Sequence, residues 1–123
     1  MAQRSLVSIV DDDESVRESL PDLIHQFGFA TRAFPSAEAF LASELVNDTG
    51  CLILDIVMPG MSGPDLQREM AQRGVDIPIV FITANPDQSV RSDLLAGGAV
   101  ECLFKPFSDT ALLDALNTAL RAV

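Results

Sequence analysis

Leu6-Val7-Ser8-Ile9-Val10, running directly into Asp11-Asp12-Asp13, is the stretch on which the fold turns. A short aliphatic run that lacks in-out alternation suits a strand covered on both faces, as in the middle of a parallel sheet. The same pattern returns at residues 51–54, 79–82 and 100–104. Residues 29–34, which include Thr31 and Arg32, are less apolar and read as an edge strand.

Helical periodicity fills the intervals. Val16, Leu20, Leu23, Ile24 and Phe27 form a single apolar stripe, and Leu112, Leu113, Leu116 and Leu120 repeat it near the C-terminus. A further helix is expected to begin at a Ser36 cap and run through Phe40, Leu41 and Leu45. Pro64 suits the first position of another, through Leu66 and Met70, which Gly74 can end. The weakest, about residues 87–96, has only Val90, Leu94 and Leu95 as anchors and stops at Gly97-Gly98. One local conflict stands out. Pro21 inside the first helix removes the amide that would bond Arg17 and is expected to bend it.

Strand and helix therefore alternate five times. Right-handed crossovers turn that order into an α/β doubly wound sandwich of three layers, a flavodoxin-like parallel sheet of order 2-1-3-4-5. A six-stranded Rossmann relative shares the local pattern, but 123 residues accommodate five units. With no repeat or linker, a single domain spanning 1–123 is expected.

The net charge of −10 repels a phosphate backbone, so this segment is not expected to bind nucleic acid; cations or basic partners are favoured. No apolar run approaches the ~18 residues of a membrane span, and residues 1–5 lack the apolar stretch of a secretory signal. The cytoplasm is the expected location. Cys51 and Cys102 lack the spacing of a zinc site and read as reduced core thiols; assigned to the third and fifth strands, they stand too far apart for a disulfide.

In an open parallel sheet, ligands bind beyond the carboxyl ends of the strands. The residues there are Asp11, Asp12 and Asp13 after the first strand, Asp55 after the third, Thr83 after the fourth and Lys105 before Pro106 after the fifth. Crowded carboxylates raise one another's pKa or recruit a cation. Oxygen ligands without histidine or thiol favour Mg²⁺, which leaves positions open for a phosphoryl group. Lys105 and Thr83 can supply charge and a hydrogen bond to phosphoryl oxygens, and Asp55 is the natural nucleophile, since a carboxylate can form an acyl phosphate.

Four segments, Ile9-Val10-Asp11-Asp12-Asp13, Leu54-Asp55-Ile56-Val57-Met58-Pro59-Gly60-Met61-Ser62-Gly63, Ile82-Thr83-Ala84 and Phe104-Lys105-Pro106-Phe107, resemble the signatures of response regulator receiver domains in order and spacing. They span essentially the whole chain. The first, continued through Glu14-Ser15-Val16-Arg17-Glu18-Ser19-Leu20, is similar to FixJ-type regulators in particular. The resemblance implies that Asp55 accepts a phosphoryl group from a histidine kinase. Asp12 and Asp55 would ligate Mg²⁺ directly, with the Val57 carbonyl as third protein ligand and Asp11 reaching through water. It further implies that Thr83 closes on the phosphoryl group, that Lys105 pairs with it, and that the Lys105 to Pro106 peptide is cis. Such a domain catalyses its own phosphorylation and dephosphorylation without being a conventional enzyme. It controls an output domain or downstream partner, in transcriptional regulation, and a homodimer formed on phosphorylation is a further expectation.

The sequence departs from the family at Cys102. Many receivers carry a rotating aromatic three residues before the lysine, and a thiol has no ring to swing. Signalling is therefore expected to rest on Thr83 and on shifts of the fourth helix, fifth strand and fifth helix. Val57 and Asn85 flank the site and are candidates for tuning hydrolysis. Plainer roles are expected elsewhere: Asp13 as a helix cap, Asp48 and Asp65 as solvated charges, His25 as a surface residue, and Met58 and Met61 as loop packing.

Three other functions compete. A haloacid-dehalogenase-type phosphohydrolase also uses an aspartate after a strand but wants a second acid two residues on, where this chain has Val57. A flavodoxin needs a Ser/Thr-rich phosphate loop where this chain has three aspartates. A pseudo-receiver would bind partners without phosphorylation, against which Asp12, Asp55, Thr83 and Lys105 all stand intact. The sequence stops where the last helix should end, consistent with a stand-alone regulator or an excised N-terminal domain.

Overall fold

The computed structural model describes residues 6–84 and 87–121. Asn85 and the two chain ends lie outside the described residues. Five strands, β1 (Leu6–Val10), β2 (Ala30–Phe34), β3 (Thr49–Asp55), β4 (Ile79–Thr83) and β5 (Glu101–Phe104), pair in parallel in the order β2-β1-β3-β4-β5. This is the predicted flavodoxin-like topology. β3 and β4 are the most deeply covered, whereas β2 is largely exposed, as its Thr31 and Arg32 suggested.

Helices α1 (Glu14–Gln26), α2 (Ala37–Leu41), α3 (Gly63–Gln72), α4 (Gln88–Ala96) and α5 (Asp109–Arg121) complete the layers. One core joins Val10, Leu52, Leu54 and Phe81 to Phe40, Leu66, Met70 and Leu94 of α2, α3 and α4. The other joins Val7, Ile9, Ile53 and Ile82 to Leu20 and Ile24 of α1 and Leu112 and Leu116 of α5. Each central strand thus feeds alternate side chains to both cores, which is why its sequence lacks polar alternation. Cys51 lies in the second core and Cys102 in the first, on opposite faces of the sheet, and both are free thiols.

Local chemistry sets the ends. Asp13 caps α1 by accepting from the Ser15 amide. Pro21 does not interrupt α1, which continues to Gln26. The helix expected from Ser36 to Leu45 is shorter. Ser36 caps α2 as predicted, but α2 stops at Leu41 and Ser43 starts a separate 3-10 turn at Glu44–Asp48 by accepting from the Leu45 amide. Serine competes for backbone donors in this way, which the apolar spacing alone did not register. The turn is tied to the sheet by a buried pair. The Thr49 hydroxyl donates to the Leu45 carbonyl at 2.8 Å and pairs with the Ser8 hydroxyl at 2.7 Å.

α3 begins at Gly63, one residue before the expected Pro64, with Ser62 as its cap. Asp65 is the solvated charge expected, and it is also half of a reciprocal capping box. Its carboxylate accepts from the Ser62 amide at 3.1 Å while its own amide donates to the Ser62 hydroxyl at 3.2 Å. Those bonds, Ser62 first and the Arg68 guanidinium after it, hold the Asp65 carboxyl below the usual carboxylate range. Gly74, at φ +72°, follows the end of α3 and adopts the left-handed turn that a side chain would resist. Among the described residues, no helix is long and apolar enough to cross a membrane.

Candidate functional site

Parallel pairing aligns the strand ends, and the loops leaving them converge at one rim of the sheet. β1 delivers Asp11, whose amide donates to the Phe34 carbonyl and so extends the pairing with β2. The Asp11 carboxylate is fully buried. One of its oxygens accepts from the Asp13 amide at 2.9 Å, and the other receives the Lys105 ammonium at 3.3 Å. The Arg17 guanidinium, from α1, donates to the Asp11 carbonyl at 3.1 Å and clasps the turn from the helix side. Asp12, next in the chain, is exposed.

β3 delivers Asp55 opposite Ile82 of β4. Carboxylate oxygens of Asp11, Asp12 and Asp55 lie within 4.8 Å of one another, a set that could hold a metal ion. Asp55 feels the crowding. Burial first, then the negative charges of Asp11 and Asp12, push its carboxyl up to about 7, against the opposing pull of Lys105 and the Ile56 amide. β4 ends in buried Thr83, whose carbonyl accepts from the Lys105 amide at 2.7 Å. The Lys105-Pro106 peptide is cis, as the resemblance implied.

Sequence reasoning missed how Asp55 is held. Gly63 meets the end of β3 so closely that a Cβ there would lie 2.3 Å from the Asp55 carbonyl oxygen and 3.1 Å from the Phe81 ring. The Gly63 amide donates to the Ile56 carbonyl at 3.0 Å, closing the loop of residues 57–62 at its neck. Met58 is buried beneath the loop and Met61 packs on the same core, as expected, while Val57 stands 73% exposed beside the cup. A readable signal was present for part of this. Ser62 three residues before Asp65 is a capping-box spacing. Nothing in the sequence marked the Arg17 clasp or the contact at Gly63.

Fold and site together define a doubly wound α/β protein with a metal-capable acidic cup and a lysine at the carboxyl rim of its sheet. The family model described as "Response regulator receiver domain" matches residues 7–117, and the chain belongs to that family, the receivers of two-component systems. It is 43% identical over 119 residues to the response regulator protein TmoT of Ectopseudomonas mendocina, covering 97% of this chain and 54% of that protein. It is also 43% identical over 116 residues to nodulation protein W of Bradyrhizobium diazoefficiens, covering 94% of this chain and 51% of that one. The chain thus spans about half the length of the curated relatives it matches. The crystal structure of FixJ-N superposes with a TM-score of 0.88 at 38% identity, covering 99% of this chain and 98% of that one.

Proposed function

We propose that the chain is the phosphoacceptor of a two-component pathway, taking a phosphoryl group on Asp55 from a phosphohistidine of a histidine kinase. The observation that carries this reading is the Asp55 carboxyl, raised to about 7 and set within 4.8 Å of the Asp11 and Asp12 carboxylates, with Lys105 bound to Asp11. Three hard oxygen donors whose negative charge the single Lys105 ammonium offsets only in part suit Mg²⁺. Asp12, Asp55 and the Val57 carbonyl would hold the ion, with Asp11 in support through water. When bound, the ion supplies positive charge that keeps Asp55 ionised and offsets charge on the transferring phosphoryl group.

The chain's own residues do the rest. An Asp55 oxygen attacks phosphorus in line, the P–N bond to the donor imidazole breaks with its electron pair going to nitrogen, and the imidazole, already carrying a proton on its other ring nitrogen, leaves neutral. Lys105, pre-aimed into the cup by Asp11, turns its ammonium to a phosphoryl oxygen, and the Thr83 hydroxyl donates to another. Hydrolysis of the same acyl phosphate resets the domain. Val57 offers no second acid for rapid turnover, which separates this reading from a phosphohydrolase.

Phosphorylation alters the face of α4, β5 and α5. Cys102 is buried in the core that α4 covers, so the message passes through Thr83 and backbone shifts rather than a swinging ring. TmoT is a response regulator protein by name, and the downstream partner here is accordingly an output domain or protein controlling transcription, in the cytoplasm, with a homodimer formed on phosphorylation. Intact mass after acetyl phosphate and Mg²⁺ tests the reading. One phosphoryl group on the parent and none on Asp55→Asn is the expected result; an unmodified parent refutes it.

A further inference from the structure

We propose that Glu38 of α2 is a positioning residue for the loop of residues 57–62, and through it for the Val57 carbonyl; this rests on the Mg²⁺ site of the preceding reading. The loop has to present one backbone oxygen to the ion, so its accuracy depends on what restrains it. At the neck, Gly63 bonds Ile56, and the adjacent Ser62 belongs to the cap of α3. One residue further into the loop, a Glu38 carboxylate oxygen accepts from the Met61 amide at 3.2 Å. That bond joins the loop to a different helix, 23 residues away in sequence.

The contact is shaped on both sides. Gly60 adopts φ +74°, and the space its missing Cβ leaves is where the same Glu38 oxygen sits, 2.7 Å from the position a Cβ would take. On the other side, α2 is a short but anchored base. Ser36 caps it, and Ala37 and Phe40, flanking Glu38, are fully buried in the core that also receives Met58. The Glu38 side chain therefore spans from a fixed helix to a loop whose underside is pinned by Met58. Partners bonded directly to a ligating group orient it without touching the ion, and Glu38 acts one step further out, through the loop backbone between Val57 and Met61.

Mg²⁺ alone is the probe, titrated into the whole chain by calorimetry, with amide exchange at Met61 measured in parallel. Glu38→Ala is expected to weaken Mg²⁺ binding by up to about 10-fold, the lower end of what loss of a partner bonded directly to a ligand costs, and to speed exchange at Met61. Glu38→Gln keeps an acceptor oxygen without the charge and is expected to restore both to near parental values. Should Glu38→Ala not fold, Glu38→Asp, which keeps the charge but falls a methylene short of Met61, takes its place with the same expected weakening. Parental affinity in the shortened variants overturns the inference. So does a Glu38→Gln variant weakened as much as Glu38→Ala, because charge at a distance would then be responsible. A parent that does not bind Mg²⁺ removes the underlying reading as well, which separates the two failures.

Discussion

Replacing Asp55 by asparagine should make the metal-free protein more stable, and only where the carboxyl would be ionised. The unfolded chain ionises this group near its ordinary value of 3.8, while the folded state holds it to about 7. Below pH ~4 both states are protonated and the group is neutral to stability. As pH rises through that window the unfolded state sheds its proton first, so folding is penalised increasingly up to about 7 and by a constant amount above. A displacement from 3.8 to about 7 would cost ~4 kcal/mol for a group shut off from water, at about 1.4 kcal/mol per tenfold in acidity. Asp55 is only partly buried, and solvent screening reduces the penalty to about 1–2 kcal/mol. In EDTA at pH 8, Asp55→Asn should therefore gain about 1–2 kcal/mol in urea unfolding, or roughly 4–8 °C in Tm, with the gain vanishing near pH 4. Circular dichroism is the probe, since the chain has no Trp or Tyr. Added Mg²⁺ should reverse the order by stabilising the parent through binding linkage. A variant no more stable than the parent at pH 8 without metal would refute the claim that Asp55 sits in an acidic cup that Lys105 compensates only in part.

Gly63→Ala should destabilise by at least ~2 kcal/mol, because the new methyl meets backbone and an aromatic ring rather than a yielding side chain, and it should slow phosphoryl uptake on Asp55; urea unfolding and mass measurement read the two effects. Thr49→Val leaves the Ser8 hydroxyl without its buried partner and frees the Leu45 carbonyl, a loss of about 1–3 kcal/mol measurable by the same unfolding assay. Burial pushes the Cys51 thiol up to about 12 and raises that of Cys102, where Arg91 opposes and Glu101 adds to the effect. Both should resist thiol reagents at pH 8 until the protein unfolds, and air oxidation should leave the monomer mass unchanged. Prompt labelling of Cys51 in the native protein would contradict its place in the core.

The order of elements and the identity of the cup were legible in the chain itself. A strand buried on both faces must be apolar throughout, so β1, β3 and β4 announce themselves, while the edge strand β5 shows through Cys102, Leu103 and Phe104 although it begins at the charged Glu101; in a parallel sheet whatever follows such a run stands at the ligand-binding rim. Asp11, Asp12, Asp55, Thr83 and Lys105 follow from that rule. Ser36 and Asp13 were equally readable, because a cap acts on amides two or three residues away. What only the tertiary structure decided lies in contacts between segments distant in sequence. Asp11 rather than Asp55 bonds Lys105, Arg17 clasps the carbonyl of Asp11, Gly63 admits α3 against the end of β3, and Glu38 reaches Met61 over Gly60. The pKa of Asp55 belongs to the same class, since desolvation and the fields of Asp11 and Asp12 exist only once the strands are paired. Local pattern determines which residues arrive at the rim; the distances between them, on which electrostatics and metal affinity depend, are set by packing.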